Sequence, residues 1–320
     1  MNDQSDVWIY ILILAGSTFA GNVSTWTCLP KFLVKIEKNE LCIKRHYKET
    51  LIYFIPTIAT SVYTVLDKTM IGLITGSNSV NGYYENATKI VNMAKAVAFT
   101  SINSVLGSRI SYLFANKKTD EIKEKISFAL DYILFMGIGC SLGIIGVAKQ
   151  FVPWFFGEGF METVPMLMTL SPIVVIIGIS NCAGALYYTP AGLRATSTKF
   201  IVTGSVVNFI LNSILIPLFS GYGAIIASIV AELVITVLYV RNSNGFLTVQ
   251  MIAEKIWKKL IAGSVMLIVI VIMGINREAS IVLTGGQIIV GVGVYGIILF
   301  IIRDKFLLNG LDIVKDKLKR

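Results

Sequence analysis

The stretch LIYFIPTIATSVYTVLDKTMIGLIT, from Leu51 to Thr75, is apolar and long enough to cross a bilayer, yet Asp67 and Lys68 stand side by side within it. One charge at the centre of a membrane helix costs about 2.5 to 3.5 kcal/mol on insertion scales. A span that keeps two charges usually gives them protein or water-lined partners. The stretch therefore predicts a transmembrane helix beside a transport pathway, not a simple membrane anchor.

The rest of the chain shares this apolar character. Of its 320 residues, 55% are hydrophobic and 15% are charged, which predicts an all-α polytopic membrane protein. A helix needs about 20 apolar residues to cross the hydrocarbon core. The apolar runs are continuous and do not alternate with a period of two, so a β-barrel is not expected. About nine transmembrane helices are predicted, at 7–27, 49–75, 87–114, 126–148, 163–187, 199–219, 222–240, 260–275 and 281–302.

Basic residues mark one side of the membrane. Of the 28 Lys and Arg, 22 fall in five segments that follow every second predicted span. The positive-inside rule therefore places Met1 outside and Arg320 in the cytoplasm. The net charge of +9 is explained by this distribution, so no nucleic-acid partner is expected. The five segments are 28–48, 115–125, 188–199, 241–259 and 303–320.

The residues of common catalytic and metal sites are scarce. The only histidine, His46, lies in a basic segment. The four cysteines show no paired spacing, which argues against a disulfide framework or a zinc site. We therefore expect no catalytic residue, no metal site and no cofactor. The cysteines are Cys28, Cys42, Cys140 and Cys182.

Three later spans carry polar side chains on defined helix faces. Asparagine and serine also join helices to each other in lipid, so a structural role competes with pathway lining for them. Ionisable side chains deep in a membrane are rarer, which favours a pathway role for Asp67, Lys95 and Glu232. The sets that share a face are Asn92, Lys95 and Asn103 in the third span, Asn208 and Asn212 in the sixth, and Ser228 and Glu232 in the seventh.

Helix geometry predicts how the charges pair. At about 1.5 Å per residue, Asp67 and Lys95 come out at similar depths on neighbouring antiparallel helices. Lys68 points about 100° away from Asp67 around the same helix. We therefore expect Asp67 to contact Lys95, and Lys68 to remain free for an anionic group. Glu232 has no obvious cationic partner, which makes it, together with Asp67, a candidate for ion or proton coupling.

The sequence around Asp67 resembles that of a known family. The segments 54–57 (FIPT), 66–72 (LDKTMIG) and 81–87 (NGYYENA) resemble the start of the C-terminal lobe of Wzx-type polysaccharide, or O-antigen, flippases. These proteins belong to the MATE-like multidrug/oligosaccharidyl-lipid/polysaccharide exporter superfamily. The resemblance implies a six-helix lobe with flanking helices.

The resemblance also implies a division of the chain. Residues 1–48 would hold the last helix of the N-terminal lobe and a basic cytoplasmic linker. Residues 49–241 would form the C-terminal six-helix lobe, and residues 242–320 a cytoplasmic loop, two accessory transmembrane helices and a basic tail. Most of the N-terminal lobe would be missing, so we expect a truncated or split form. Its partners would be that missing lobe or other polysaccharide assembly proteins.

Flippases of this kind turn an undecaprenyl-diphosphate-linked oligosaccharide across the bacterial inner membrane. The resemblance implies this lipid-linked substrate, with membrane lipids as the surroundings and no cofactor. Asp67, Lys68 and Lys95 match the position where the family uses charged lumen residues for an anionic substrate. Amides and aromatic rings suit sugar hydroxyls. The candidate sugar contacts are Asn92, Asn103, Tyr188, Asn208 and Asn212.

Two other functions are kept as alternatives. A multidrug or cation antiporter of the same superfamily would need coupling carboxylates, for which Asp67 and Glu232 are the candidates. A membrane glycan polymerase or ligase acts on the same lipid-linked glycans. Such an enzyme would be expected to carry a large outside loop with Arg or His, and the predicted outside loops are short.

Overall fold

The computed structural model shows helices joined by short turns. Its described residues are 7–27, 29–31, 33, 47, 50, 51, 54 and 65–310, and none of them lies in a β-strand. This confirms the expected all-α class. The chain divides by contact into two compact units, Met1–Leu51 and Ile52–Arg320.

The first unit begins with α1 (Val7–Trp26), followed by a 3-10 turn at Leu29–Lys31, and its described residues 47, 50 and 51 are also helical. The 20 residues of α1 make a helix of about 30 Å, the thickness of a bilayer core. This helix matches the predicted span 7–27. Most of the basic segment 28–48 lies outside the described residues.

The second unit contains nine described helices of eight or more residues, and a shorter helical stretch at 305–310. The first, α2 (65–75), is the described end of the predicted span 49–75, whose earlier part lies mostly outside the described residues. The others are α3 (Asn78–Ala115), α4 (Thr119–Phe156), α5 (Thr163–Leu170), α6 (Ile173–Ala183), α7 (Arg194–Phe219), α8 (Gly221–Arg241), α9 (Val249–Gly274) and α10 (Ile281–Ile301).

Seven helical stretches of this unit, with α5 and α6 counted as one, are long and apolar enough to cross a membrane. They coincide with the last seven predicted spans, so the chain is a multi-pass membrane protein. Four of them start at least five residues earlier than predicted, at Asn78, Thr119, Arg194 and Val249. Helix α3 begins nine residues before 87, at Asn78, because the Ser77 hydroxyl accepts a hydrogen bond from the Val80 N–H. Helix α9 begins at Val249, where Thr248 caps it in the same way.

The span 163–188 is interrupted twice. Pro172 has no N–H group, so it cannot extend the backbone hydrogen bonds of α5, and α6 starts directly after it. At its other end, α6 widens into a π-helical turn, Gly184–Tyr188, where the Thr189 N–H bonds to the Gly184 carbonyl at 3.0 Å. The turn buries Tyr188 completely.

Helix α4 is the centre of the second unit. It packs against α3 and α6 on one side and against α9 and α10 on the other. Its buried residues are mostly large aliphatics, including Ile126, Ile133 and Ile138. The Tyr295 hydroxyl of α10 donates to the Phe135 carbonyl of α4 at 3.0 Å, which ties the last helix pair to the bundle.

Helices α7 and α8 form a tight antiparallel pair. A Cβ atom at Gly204 of α7 would lie 2.3 Å from Ile235 Cγ1 of α8, so only glycine fits at this crossing without a shift. Small residues allow such close approach between membrane helices. The pair brings Asn212 and Ser228 together against α2.

Candidate functional site

The second unit contains a polar cavity of about 440 Å³. Its walls come from α2, α3, α5, α6 and α8. Five predicted site residues line it, and Tyr84, Thr88 and Ser228 add further polar groups. The predicted residues that meet there are Asp67, Lys68, Asn92, Lys95 and Glu232.

Asp67 is held by neutral hydrogen-bond donors from three other helices. Its side chain is buried, with 3% of the residue exposed. Oδ2 accepts hydrogen bonds from the Tyr84 hydroxyl and the Ser228 hydroxyl, each at 2.8 Å. Oδ1 accepts one from Asn212 Nδ2 at 2.6 Å. Donors aimed at a carboxylate stabilise its charge at a site where water is scarce.

Asn208 and Asn212 lie behind Asp67 and do not line the cavity. Both are fully buried. Asn212 Nδ2 bonds to Asn208 Oδ1 at 3.0 Å as well as to Asp67, so the two amides form a layer that supports the carboxylate. Their contact with sugar stays a prediction, and in this structure the two amides face Asp67 and each other. Asn208 Nδ2 and Asn212 Oδ1 have no partner among the described residues.

The predicted contact between Asp67 and Lys95 is wrong. Both side chains line the cavity, but the ion pairs within residues 65–310 do not include this one. The reason is the position of the turn: α2 ends at 75 and α3 starts at Asn78, so Asp67 lies level with Tyr84. Lys95, eleven residues beyond Tyr84, is then roughly 16 Å farther along α3.

Lys68 was expected to remain free, and the structure pairs it instead. Its Nζ lies 3.2 Å from Glu85 Oε1, and Lys89 Nζ lies 3.4 Å from the same oxygen. All three side chains are more than a third exposed, so each pair contributes little to stability. The Lys68–Glu85–Lys89 cluster therefore carries one net positive charge at the edge of the cavity.

Glu232 lies within electrostatic range of a lysine, which the sequence did not suggest. Lys95 of α3 interacts electrostatically with Glu232 of α8, and both side chains line the cavity. Ser228, which shares a helix face with Glu232, directs its hydroxyl to Asp67. The cavity is thus lined by Asp67, which is bonded to neutral donors, and by two further ionisable side chains, Lys95 and Glu232.

Two predicted sugar contacts lie elsewhere. Asn103 Nδ2 of α3 donates to Asn181 Oδ1 of α6 at 2.9 Å. Tyr188 donates to the Tyr239 carbonyl at 3.2 Å and packs edge-on against Phe200 and the Tyr239 ring. Neither residue lines the polar cavity. Both join helices, which is the structural role that asparagine and tyrosine commonly take in a bundle.

Sequence reasoning missed Tyr84, Glu85 and Lys89. Tyr84 and Glu85 fell in a predicted loop because the residues around them are polar, and Lys89 lay near the end of the predicted span 87–114, where a long side chain can reach the membrane surface. A usable signal was present: Tyr84, Thr88, Val91, Asn92 and Lys95 recur at helical spacing and share the cavity. No group of three or more His, Cys, Asp or Glu within the described part of the chain could hold a metal ion.

A larger cavity, of about 570 Å³, lies between α4, α9 and α10. Its lining is almost wholly apolar and includes Phe135, Met266 and Tyr295. None of the predicted site residues contributes to it. The polar cavity is therefore the place where the predicted chemistry gathers.

The chain matches the family model described as "Lipid II flippase MurJ" over residues 3–285. It is 26% identical over 206 residues to a "Putative O-antigen transporter" of Escherichia coli (strain K12), covering 63% of this chain and 49% of that protein. A protein of the same description from Shigella dysenteriae is 21% identical over 188 residues, covering 59% and 46%. The chain thus spans about half the length of these curated relatives.

A solved structure shares the fold. "Lipid II flippase MurJ, inward closed conformation" superposes with a TM-score of 0.70 at 18% identity. The match covers 89% of this chain and 60% of the other. It confirms the flippase-type helical fold.

Proposed function

Because the chain belongs to the MurJ family of lipid II flippases, we propose that it acts in turning a lipid-linked oligosaccharide across the bacterial inner membrane. The proposed substrate is an undecaprenyl-diphosphate-linked repeat unit for surface polysaccharide export. The names of the O-antigen transporters that the chain resembles support this choice. The positive-inside rule supports a cytoplasmic position for the basic segments and for Arg320, with Met1 outside.

Within this proposal, residues 49–241 form the C-terminal lobe of a transporter. Residues 1–48 supply the last helix and linker of the other lobe, and residues 242–320 an accessory helix pair and tail. Since the match covers 60% of the MurJ structure, we propose that further helices, from a second lobe or another assembly protein, complete the transporter.

The polar cavity is the observation that carries the proposal. It gathers Lys68, Lys95, Asn92 and two carboxylates inside a bundle whose other described interior is mainly apolar. A polyprenol tail can remain in lipid, whereas a diphosphate with its sugars needs a polar environment. Cations suit the phosphates and the amide suits sugar hydroxyls.

The charge balance of the cavity suggests how the substrate enters. Lys68 already pairs with Glu85, and Lys95 lies within electrostatic range of Glu232. A diphosphate brought between them would meet these carboxylates as well as the cations. Binding is favourable only when the carboxylates move away or lose their charge, because like charges close together in a poorly solvated site repel strongly.

This argument assigns ion coupling to the same place. A proton taken up by Glu232 would release Lys95 for the diphosphate, so uptake of the proton and binding of the substrate favour each other. Asp67 is the second candidate carboxylate. Its three donors would have to be exchanged for a bound cation, and Ser228 and Tyr84 can rotate their hydroxyl hydrogens to allow it.

Native mass spectrometry of the full chain in detergent tests the proposal. We expect retention of an undecaprenyl-diphosphate-linked oligosaccharide and a loss of roughly tenfold in affinity when Lys95→Gln removes a charge-assisted contact. Lys199→Gln, an exposed lysine of α7 away from the cavity, is the control. Equal retention by all three proteins would exclude the cavity as the substrate site.

The antiporter alternative has one observation in its favour: the cavity lining holds as many carboxylates as cations. The alternative would be supported if the protein retained a cationic drug in place of the glycolipid, and if Glu232→Gln no longer retained that drug. The glycan polymerase or ligase is less well supported. The described connections on the side away from the basic segments, such as 157–162 and 275–280, are short.

A further inference from the structure

The charges where α9 begins and α10 ends are sorted into an inner and an outer set. The inner set is neutral overall. Lys259, with 1% of its side chain exposed, donates to Asp131 Oδ1 at 2.9 Å and to Asp304 Oδ2 at 3.1 Å. Lys255 donates to the other oxygen of Asp131. Two lysines and two aspartates therefore neutralise each other inside the protein.

The outer set is wholly basic. Lys258, Arg303 and Lys305 lie on the outer side, and the ion pairs within residues 65–310 include none of them. The described acid nearest in sequence to Lys258, Glu254, accepts a hydrogen bond from Gln250 one turn farther from the apolar run. The outer face thus keeps three positive charges.

The backbone holds these cations in place. Lys258 Nζ donates to the Arg303 carbonyl at 2.8 Å, which joins the start of α9 to the end of α10. Arg303 has φ of 51°, the left-handed region that favours glycine at the end of a helix. This turn exposes Arg303, while the next residue, Asp304, is buried, accepting the N–H groups of Phe306 and Leu307.

The outer set lies at the level of a membrane surface. The apolar part of α9 starts at Leu260, directly after the lysines, and that of α10 ends at Ile302, directly before Arg303. Trp257, 49% exposed, stands beside Lys258, whose Nζ is 5.6 Å from the ring centroid. Tryptophan at this position is typical of the boundary between lipid and water.

We propose that Lys258, Arg303 and Lys305, beside Trp257, bind the phosphate of an anionic lipid headgroup. The inner set makes the site specific, because it removes the local carboxylates from the surface that the lipid meets. A lipid bound there would hold the ends of α9 and α10 together, as the hydrogen bond from Lys258 to the Arg303 carbonyl already does. The positive-inside rule assigns this surface to the cytoplasmic leaflet, whose anionic lipids attract basic clusters.

Lipid titration of the full chain in detergent, followed by native mass spectrometry, tests the site. We expect bound phosphatidylglycerol and no bound phosphatidylcholine. The triple change Lys258→Gln, Arg303→Gln and Lys305→Gln should weaken phosphatidylglycerol binding roughly 100-fold, since each cation near anionic lipid contributes about a factor of five. The matched control removes three exposed charges from the same side, through Lys117→Gln, Lys199→Gln and Arg241→Gln, and should bind as the wild type does.

Two further variants keep the test decisive if the triple variant does not fold. Arg303→Lys preserves the charge and should retain the lipid, whereas Arg303→Gln should lose part of the binding. Equal weakening in the triple variant and its control would overturn the proposal, because a diffuse charge effect would then suffice. Displacement of the lipid by an equal concentration of inorganic phosphate would also overturn it, since the site would then prefer a soluble anion.

Discussion

The Tyr84 hydroxyl donates a hydrogen bond of 2.8 Å to the buried carboxylate of Asp67. The residues that follow these two, Glu85 and Lys68, meet in turn as an ion pair at 3.2 Å. Two adjacent contacts, one buried and one exposed, therefore fix α2 against α3. The inner contact stabilises the fold, and the outer one leaves a cation within reach of the proposed anionic substrate.

Tyr84→Phe should lower the stability of the protein in detergent by about 1.5 to 3 kcal/mol, the range for a hydrogen bond to a charged group. The ring remains, so packing is kept and only the hydroxyl is lost. Thermal unfolding followed by intrinsic fluorescence measures the change. Tyr83→Phe is the control, because the described structure shows no hydrogen bond from the Tyr83 hydroxyl, only a ring contact with Phe160. Equal shifts in both variants would contradict the role of Tyr84.

The Lys68–Glu85 pair predicts opposite effects from neutralising its two members. Glu85→Gln should strengthen binding of a diphosphate-linked glycolipid several-fold, since it removes the carboxylate that competes for Lys68. Lys68→Gln should weaken binding. Stability should change by less than about 1 kcal/mol in either variant, because the pair is solvent-exposed. Glycolipid titration measures the direction of each change in affinity. Weaker binding in both variants would contradict the idea that the substrate replaces Glu85 as the partner of Lys68.

Glu232 predicts how binding depends on pH. Protonation of Glu232 releases Lys95, so the wild-type protein should bind the glycolipid more tightly as the pH falls. Glu232→Gln should bind with the tight, low-pH affinity at every pH. Glu158→Gln, in the turn after α4 and away from the cavity, should keep the wild-type profile. A pH-dependent Glu232→Gln variant would exclude this carboxyl as the proton carrier.

Gly204 predicts a packing defect at the crossing of α7 and α8. Gly204→Ala should destabilise the protein by about 1 to 3 kcal/mol, because the new methyl group overlaps Ile235. Ile235→Ala in the same background should recover part of the loss. Gly285→Ala, where a Cβ atom would meet nothing within 4 Å, should be neutral or stabilising. Thermal unfolding measures the stability of both glycine variants. Similar shifts of the midpoint in Gly204→Ala and Gly285→Ala would contradict close packing at Gly204.

Lys259 predicts the largest loss of stability among these changes. Lys259→Met leaves Asp131 and Asp304 without their shared buried cation, which should cost about 3 to 5 kcal/mol. Lys149→Met, at a position on α4 that is exposed, should cost little. Chemical unfolding in mixed micelles measures both. A small effect at Lys259 would show that the inner charge set is not needed for the fold.

Much of the fold could be predicted from the sequence, because a continuous run of about 20 apolar residues is typical of a membrane-spanning helix. The starts of α3 and α9 could not. Their first turns contain polar residues, as at Asn78 and Gln250, and depend on the caps Ser77 and Thr248. A helix that extends beyond the apolar run gives no signal in hydropathy.

The site was predicted in part for a related reason. Rare ionisable residues in apolar spans, such as Lys95 and Glu232, did lead to the cavity. Their partners did not follow, because pairing depends on where the turn between α2 and α3 lies. Buried amides such as Asn208 look the same in sequence whether they face a cavity or support a carboxylate. Only the packing of α7 and α8 distinguishes the two.

Site-specific photo-crosslinking from position 92 tests the central claim most directly. Asn92 is exposed on α3 and lines the cavity beside Lys95. A photoreactive side chain there should crosslink the sugar or diphosphate head of an undecaprenyl-linked oligosaccharide, and at limiting substrate Lys95→Gln should reduce the product roughly tenfold. The same group at Val202, an exposed apolar position on α7 outside the cavity, should give none. Equal crosslinking from both positions, or a product at 92 that Lys95→Gln does not reduce, would contradict the assignment of the cavity to the substrate.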